Sequence, residues 1–302
     1  MLAMAGHGTA RADEAADGLP AETQLAAASE PAALAGSTAP VVTEAPAPRL
    51  VPWAGLGRHV AESFWGWNLA LHLTAVAQTA LVSSQGVDYQ VRTTFAQHTA
   101  WGTAAYPAVI LGVVGPVGLI GGLFAKGYWG DHSETLGAAY AVLQANAVTL
   151  AYVTVLKLTT GRPPPHDELV GPVAGDMSEL SRTFRFGVNR GGVVHGWPSG
   201  HVAATMATCS SLVAYYPDSL ALKLVGLASV AYMMFGVSSF RGGSMHWFSD
   251  AIAGALMAYP IGTAVGAGFR SMRDGAAGGR NAWLMLPSVG GETTMIKVGR
   301  LF

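Results

Sequence analysis

The chain predicts an all-α bundle of about six membrane helices, and three observations carry that prediction. Of its 302 residues, 51% are hydrophobic and 12% are charged, about half the charged fraction usual in soluble domains. Apolar stretches recur near 64–82, 104–125, 136–156, 201–216, 219–237 and 247–268. Several of them reach the roughly 20 residues that cross a bilayer, and the fourth and fifth lie near the lower limit of about 17. A soluble bundle of buried helices is the competing architecture. Low charge together with repeated long spans favours the membrane, and polar residues inside the spans (Asn68, His72, Gln144, Asn146) are then expected to face the bundle interior.

Taken in order, residues 1–55 are rich in Ala, Pro, Glu, Ser and Thr without periodicity, and read as a disordered leader. Ala10-Arg11-Ala12 has the small-residue pattern of a signal-peptidase site, but MLAMA is the only apolar run before it, too short for a signal core. We read that match as chance. Residues 56–275 hold the helical domain. Its longest break, 157–197, is polar and carries GRPPPHDE and SRTFRFGVNRGG; three consecutive prolines end the helix before it. A loop of this length in a compact protein is more often functional than accidental. Residues 276–302 form a C-terminal tail in which Gly290-Gly291 separates two short runs, the pattern of a hairpin. A net charge of −1 gives no field that would draw nucleic acid, and a single cysteine, Cys209, excludes a disulfide framework within the chain.

Polar clusters stand at the ends of the apolar spans. Lys157 closes the third and leads into Gly161-Arg162-Pro163. Pro198-Ser199-Gly200-His201 opens the fourth. Arg241 follows the fifth, and His246 with Asp250 opens the sixth. In an up-and-down bundle the end of each odd span and the start of the next lie on one side. Connectivity alone therefore gathers Lys157, Arg162, Ser199, His201, Arg241 and His246 at one face.

Their chemistry suits an anion. The start of the fourth helix offers N–H groups without intrahelical partners and the positive end of the helix dipole. Gly200 admits a ligand close to the backbone. Arginine supplies a planar fork for phosphate oxygens, lysine a point charge, and Ser199 a further donor. His246 and Asp250, spaced i, i+4, share a helix face. A carboxylate on one imidazole nitrogen leaves the other free to attack, and His201 is placed to give and take the proton. Individually these residues read as interface charges, a helix cap and a structural hydrogen bond. Their convergence favours an anion site. Metal binding is disfavoured, because no His-x-x-x-His or Glu-x-x-His pairing accompanies the histidines and the cations would repel the ion; no cofactor is expected.

The order Lys…Arg-Pro, then PSGH, then Arg…His-x-x-x-Asp resembles the type 2 phosphatidic acid phosphatase (PAP2) superfamily, which holds membrane lipid phosphatases, soluble bacterial acid phosphatases and vanadium haloperoxidases. The resemblance covers about residues 60–270, and PSGH with HWFSDAIAGAL is its specific part. It implies a helical bundle, a metal-free phosphatase centre and a phosphohistidine intermediate. By position, the resemblance implies that His246 is the nucleophile, that Asp250 orients it and that His201 is the acid/base. Lys157, Ser199, Gly200 and Arg241 would hold the phosphate, with Arg162, off the matching position, expected as a further phosphate ligand. Two departures stand out. The family's first motif places six residues between Lys and Arg-Pro, whereas KLTTGRPPP puts Pro164 at the arginine's place and leaves Arg162 as the nearest cation. Arg182, Arg185 and Arg190 of the long loop are further candidates to fill it. The third motif has five residues between Arg and His, and RGGSMH has four.

The function expected is hydrolysis of a phosphate monoester or diphosphate, on a lipid because the head group arrives laterally in a membrane. The alternatives are a phosphatase for small soluble phosphoesters, a vanadate-dependent haloperoxidase, and a non-catalytic phosphate- or lipid-binding membrane protein. The expected location is a bacterial inner membrane with the site facing the periplasm. Lys126, Arg270 and Arg273 then lie on the cytoplasmic side, in keeping with the positive-inside tendency.

Overall fold

The computed structural model describes residues 50–130, 132–165, 176–188, 196–240 and 245–276, together with two strands near the C-terminus. The expected leader up to residue 49, parts of the long loop and Arg241 lie outside the described residues. Nine helices follow in chain order among them: α1 (Leu56–Ser63), α2 (Trp67–Ser84), α3 (Val87–Ala96), α4 (Thr99–Trp129), α5 (Ser133–Thr160), the single turn α6 (Met177–Leu180), α7 (Gly200–Tyr215), α8 (Leu220–Ser239) and α9 (Phe248–Ala276). The six long ones, α2, α4, α5, α7, α8 and α9, fall on the six apolar stretches read from the sequence. The largest shift is at the end of α9, which runs to Ala276. At the C-terminus, β1 (Ala282–Gly290) and β2 (Thr293–Leu301) pair antiparallel.

Four helical stretches, Ala100–Trp129, Ser133–Thr160, Leu220–Ser239 and Phe248–Gly275, are long and apolar enough to cross a membrane. They differ in what surrounds them. In α9 72% of the most apolar window is buried in the bundle, against 17% in α4. The centre of the bundle is therefore α9, and α4 is peripheral, with Ile110, Val113, Val114 and Val117 facing outward. The core lies between α5, α7 and α9: Ala138, Val142, Ala207, Leu212, Ala258, Ile261, Val265 and Phe269 pack there.

Small residues set how closely α7 and α9 approach. A β-carbon on Gly254 would stand 2.5 Å from the Ser199 carbonyl oxygen, and one on Gly262 would strike Ser210. Backbones can come together only where such residues line both sides. The backbone N–H of Ser199 donates to the carbonyl of Asp250 at 3.0 Å, which fixes the start of α7 against the first turn of α9.

The residues just before α1 join the core. Leu50 and Ala54 pack on the core, and the carbonyls of Pro52 and Ala54 accept from Gln144 Nε2 at 2.8 and 3.3 Å. Gln144 Oε1 meets His59 Nδ1 at 2.6 Å. Gln144, Asn146 and His72 are all buried, as expected of polar residues within apolar spans; Asn68 is half-buried and donates to the Glu62 carbonyl.

Candidate active site

Lys157 lies in the last turn of α5, buried, with its ammonium donating to the Gly196 carbonyl at 3.0 Å. Gly161 ends that helix in the left-handed conformation, φ 54°, and any side chain there would strike the Arg185 carbonyl. A glycine at this position is what lets the chain reverse sharply past a helix end. The next residue, Arg162, is thereby turned inward.

Residues 196–199 lead into α7. Trp197 donates its indole N–H to Thr79 Oγ1 at 2.8 Å, and Pro198 follows it through a cis peptide. Ser199 is the N-cap of α7, but its side chain makes no capping bond; its hydroxyl is buried and has no hydrogen-bond partner among the described residues. Gly200 and His201 form the first turn. Gly200 comes close to the Lys157 side chain, 3.8 Å from Lys157 Cε to a β-carbon at that place. The ring of His201 lies 6.2 Å from that of His246, at 65°.

His246 is held from the other side. Its backbone N–H and that of Met245 both donate to the Val237 carbonyl on α8, at 3.1 and 2.9 Å. Asp250 Oδ2 accepts from the Trp247 backbone N–H at 3.1 Å and faces His246 Nδ1 at 3.6 Å. Burial, with the Lys157 charge adding to it, pushes the His246 imidazole down to about 3. The ring is therefore neutral at pH 7, and its Nε2 is the nitrogen left to a reacting group.

The structure thus gathers Lys157, Ser199, Gly200, His201, His246 and Asp250 around the first turns of α7 and α9. Arg162 is a correction. Read from the sequence as a phosphate ligand, it is fully buried and spends its donors elsewhere. Its Nη1 donates to Asp250 Oδ1 at 2.5 Å and to Ser249 Oγ at 2.7 Å; its Nη2 donates to Asp88 Oδ2 at 2.7 Å and to the Ser181 carbonyl at 2.5 Å. Phe184 and Trp247 flank the guanidinium at 5.0 and 5.8 Å from their ring centroids. Both Nη nitrogens are thus committed to protein acceptors, and Nε is buried without a partner among the described residues; a guanidinium whose outer edge is closed on two carboxylates does not offer that edge to a phosphate. The physical reason is the shortened first motif: the arginine follows directly on the reversal at Gly161 and drops between α3 and α9. Of the proposed replacements, Arg182 and Arg185 are exposed, and Arg190, like Arg241, lies outside the described residues.

Two residues of this network were not anticipated. Asp88 in the first turn of α3 is buried and takes three bonds, from Arg162 Nη2, from Ser249 Oγ at 2.7 Å and from the Ser249 N–H at 2.8 Å. Ser249 sits inside HWFSD, between two residues already singled out, and adjacency was its only signal. Asp88 lies in a short polar helix without periodicity, and no spacing points to it.

A groove of about 480 Å³ opens beside this cluster, between α4, α5 and α7. Lys157, Gly200 and His201 line one part of it, and apolar residues of α4 and α5, such as Pro116, Ile120 and Leu150, line another. Residues 135–270 match the PAP2 superfamily, and this segment, running from the first turn of α5 into α9, belongs to that family. No curated protein and no solved structure matches the chain.

Proposed function

We propose that the protein is a membrane phosphatase that hydrolyses a phosphate monoester or diphosphate carried on a lipid, through a phosphohistidine intermediate. The observation that carries this reading is that Lys157, Gly200 and His201, with the His246 ring 6.2 Å from that of His201, stand in or beside a groove whose remaining lining is mostly apolar, Asn146 and Thr154 being the polar exceptions. A phosphate fits at the charged end and a hydrocarbon chain along the rest. In the reaction, His246 Nε2 attacks phosphorus while the bond to the leaving oxygen breaks. His201, protonated, gives that oxygen its proton, so the lipid alcohol departs and the phosphoryl group rests on His246. Neutral His201 then takes a proton from water; the hydroxyl attacks phosphorus, the P–N bond breaks, and phosphate leaves. Asp250 holds the His246 ring in position. Lys157, the Ser199 hydroxyl, Gly200 and the N–H groups of α7, with Arg241, take up the developing negative charge.

In this reading the protein sits in a bacterial inner membrane with the site end facing the periplasm. Lys126 at the end of α4, and Arg270 and Arg273 at the end of α9, support that orientation, since they lie at the opposite end of their helices.

The test is phosphate release by the detergent-purified full chain from phosphatidate, a prenyl diphosphate and the soluble ester p-nitrophenyl phosphate. Release from the lipids that is lost in His246→Ala supports the reading. Equal release by the two proteins sinks the mechanism, and preference for the soluble ester sinks the lipid assignment. Tight binding of orthovanadate without turnover on any ester would instead mark a phosphate-binding protein, and halide oxidation with added vanadate a haloperoxidase.

A further inference from the structure

We propose that Asp88 is a positioning residue for the His246–Asp250 pair, acting through Arg162 and Ser249. The inference rests on the phosphatase reading for its kinetic consequence, and on the geometry alone for the coupling.

Asp88 belongs to a different element, α3, far from the other site residues in sequence. Its carboxylate nevertheless grips the backbone and the side chain of Ser249, the residue immediately before Asp250. It also anchors one nitrogen of the guanidinium whose other nitrogen holds Asp250 Oδ1. Each partner is therefore fixed twice. Ser249 Oγ donates to Asp88 and accepts from Arg162 Nη1; Arg162 bridges the two carboxylates; all four side chains are buried.

With Oδ1 restrained in this way, Oδ2 is the oxygen that Asp250 presents to His246 Nδ1, at 3.6 Å. Shortening that gap to an ordinary hydrogen bond needs a movement of about 0.7 Å. Oδ2 also accepts from the Trp247 N–H at 3.1 Å, so both carboxylate oxygens are held and the direction of Asp250 towards the imidazole is set by its partners. Removing Asp88 releases Arg162 to follow Asp250 or to turn away with it. In either case the carboxylate loses its fixed bearing on the nucleophile.

Arg162 consequently helps orient the attacking group and makes no contact with the phosphate. The two roles predict different kinetics. A lost phosphate ligand weakens substrate binding as well as turnover, whereas a misdirected nucleophile lowers turnover while binding is kept.

The experiment compares Asp88→Asn, Asp88→Glu, the milder Ser249→Ala and the wild type, each as the full chain in detergent. Kinetics on the preferred ester are measured alongside 15N-histidine spectra, with the His246 signal assigned by its loss in His246→Gln. For Asp88→Asn a fall in kcat of about 100-fold is expected, the scale of a 1 Å misplacement of a reacting group, with KM unchanged. Asp88→Glu is expected to recover part of it, and Ser249→Ala to lose less. The His246 Nδ1 resonance is expected to shift in Asp88→Asn while that of His59 stays. A folded Asp88→Asn with wild-type kcat and an unmoved His246 resonance overturns the proposal, as does a loss confined to KM. If Asp88→Asn does not fold, Ser249→Ala decides by the same two readouts. If the wild type releases no phosphate from any ester, the phosphatase reading fails separately, and the resonance shift alone tests the coupling.

Discussion

The bundle buries one polar network at its site end and another midway along α5, and the networks are built differently. Deep in the bundle, at α1, His59, Gln144 and the carbonyls of Pro52 and Ala54 form a neutral set that ties residues 52–59 to α5. At the site end, Asp88, Lys157, Arg162 and Asp250 bring two carboxylates and two cations together in burial, beside a neutral His246. A neutral network, here bonded largely to the backbone and with only His59 Nε2 left without a partner among the described residues, stabilises a fold at modest desolvation cost. Four buried charges cost far more to desolvate, and their mutual attraction does little better than offset it. The first arrangement is explained by folding; the second is explained by what the site must do.

Substitutions can break that contrast in descending order of effect. In the proposed reaction His246→Ala removes the attacking atom, and phosphate release is then expected to fall by about 1,000-fold or more, with the size-exclusion profile of the purified chain retained. Arg162→Met leaves two carboxylates buried without their cation. A loss of about 3–5 kcal/mol in stability is expected, read as a lowered melting temperature, together with a loss of turnover. Gln144→Leu in the neutral network is expected to cost about 1–3 kcal/mol, with turnover per folded molecule unchanged. A large activity loss in Gln144→Leu, or none in Arg162→Met, would erase the distinction between the two networks.

Acid sharpens the same comparison. His246 is held down to about 3 in the folded protein, against an unfolded value of about 6.5. Below the unfolded value, the unfolded chain takes the proton first. The stability present above pH 6.5 is therefore lost as pH falls toward 3. Burial lowers His59 as well, so the neutral network loses stability in the same direction. Denaturant titrations between pH 7 and 4 are expected to show a smaller decline in His246→Gln than in the wild type.

Much of the fold was legible because it is written in local pattern. Apolar runs of helical length gave the six long helices, and their alternation gave the shared end of Lys157, His201 and His246. PSGH and HWFSD lie at helix starts, where sequence and position coincide. The part that was not legible depends on direction. Arg162 was assigned to the phosphate because it is a cation near the right place. Its side chain points instead where Gly161 turns the backbone, and the sequence does not display that reversal as a change of destination. Asp88 was missed for a related reason: its partners are Arg162 and Ser249, and pairing across such separations leaves no periodicity.

The groove between α4 and α5 has a kinetic consequence. A substrate that reaches His201 along it travels within the plane of the bilayer, and what governs encounter is its surface density. Diluting it with inert lipid at constant total amount then slows the reaction, while diluting the whole suspension with buffer leaves the rate per enzyme nearly untouched. In the proposed reaction the product alcohol leaves by the same path, which would make the lipid composition around α4 part of the working environment of the site.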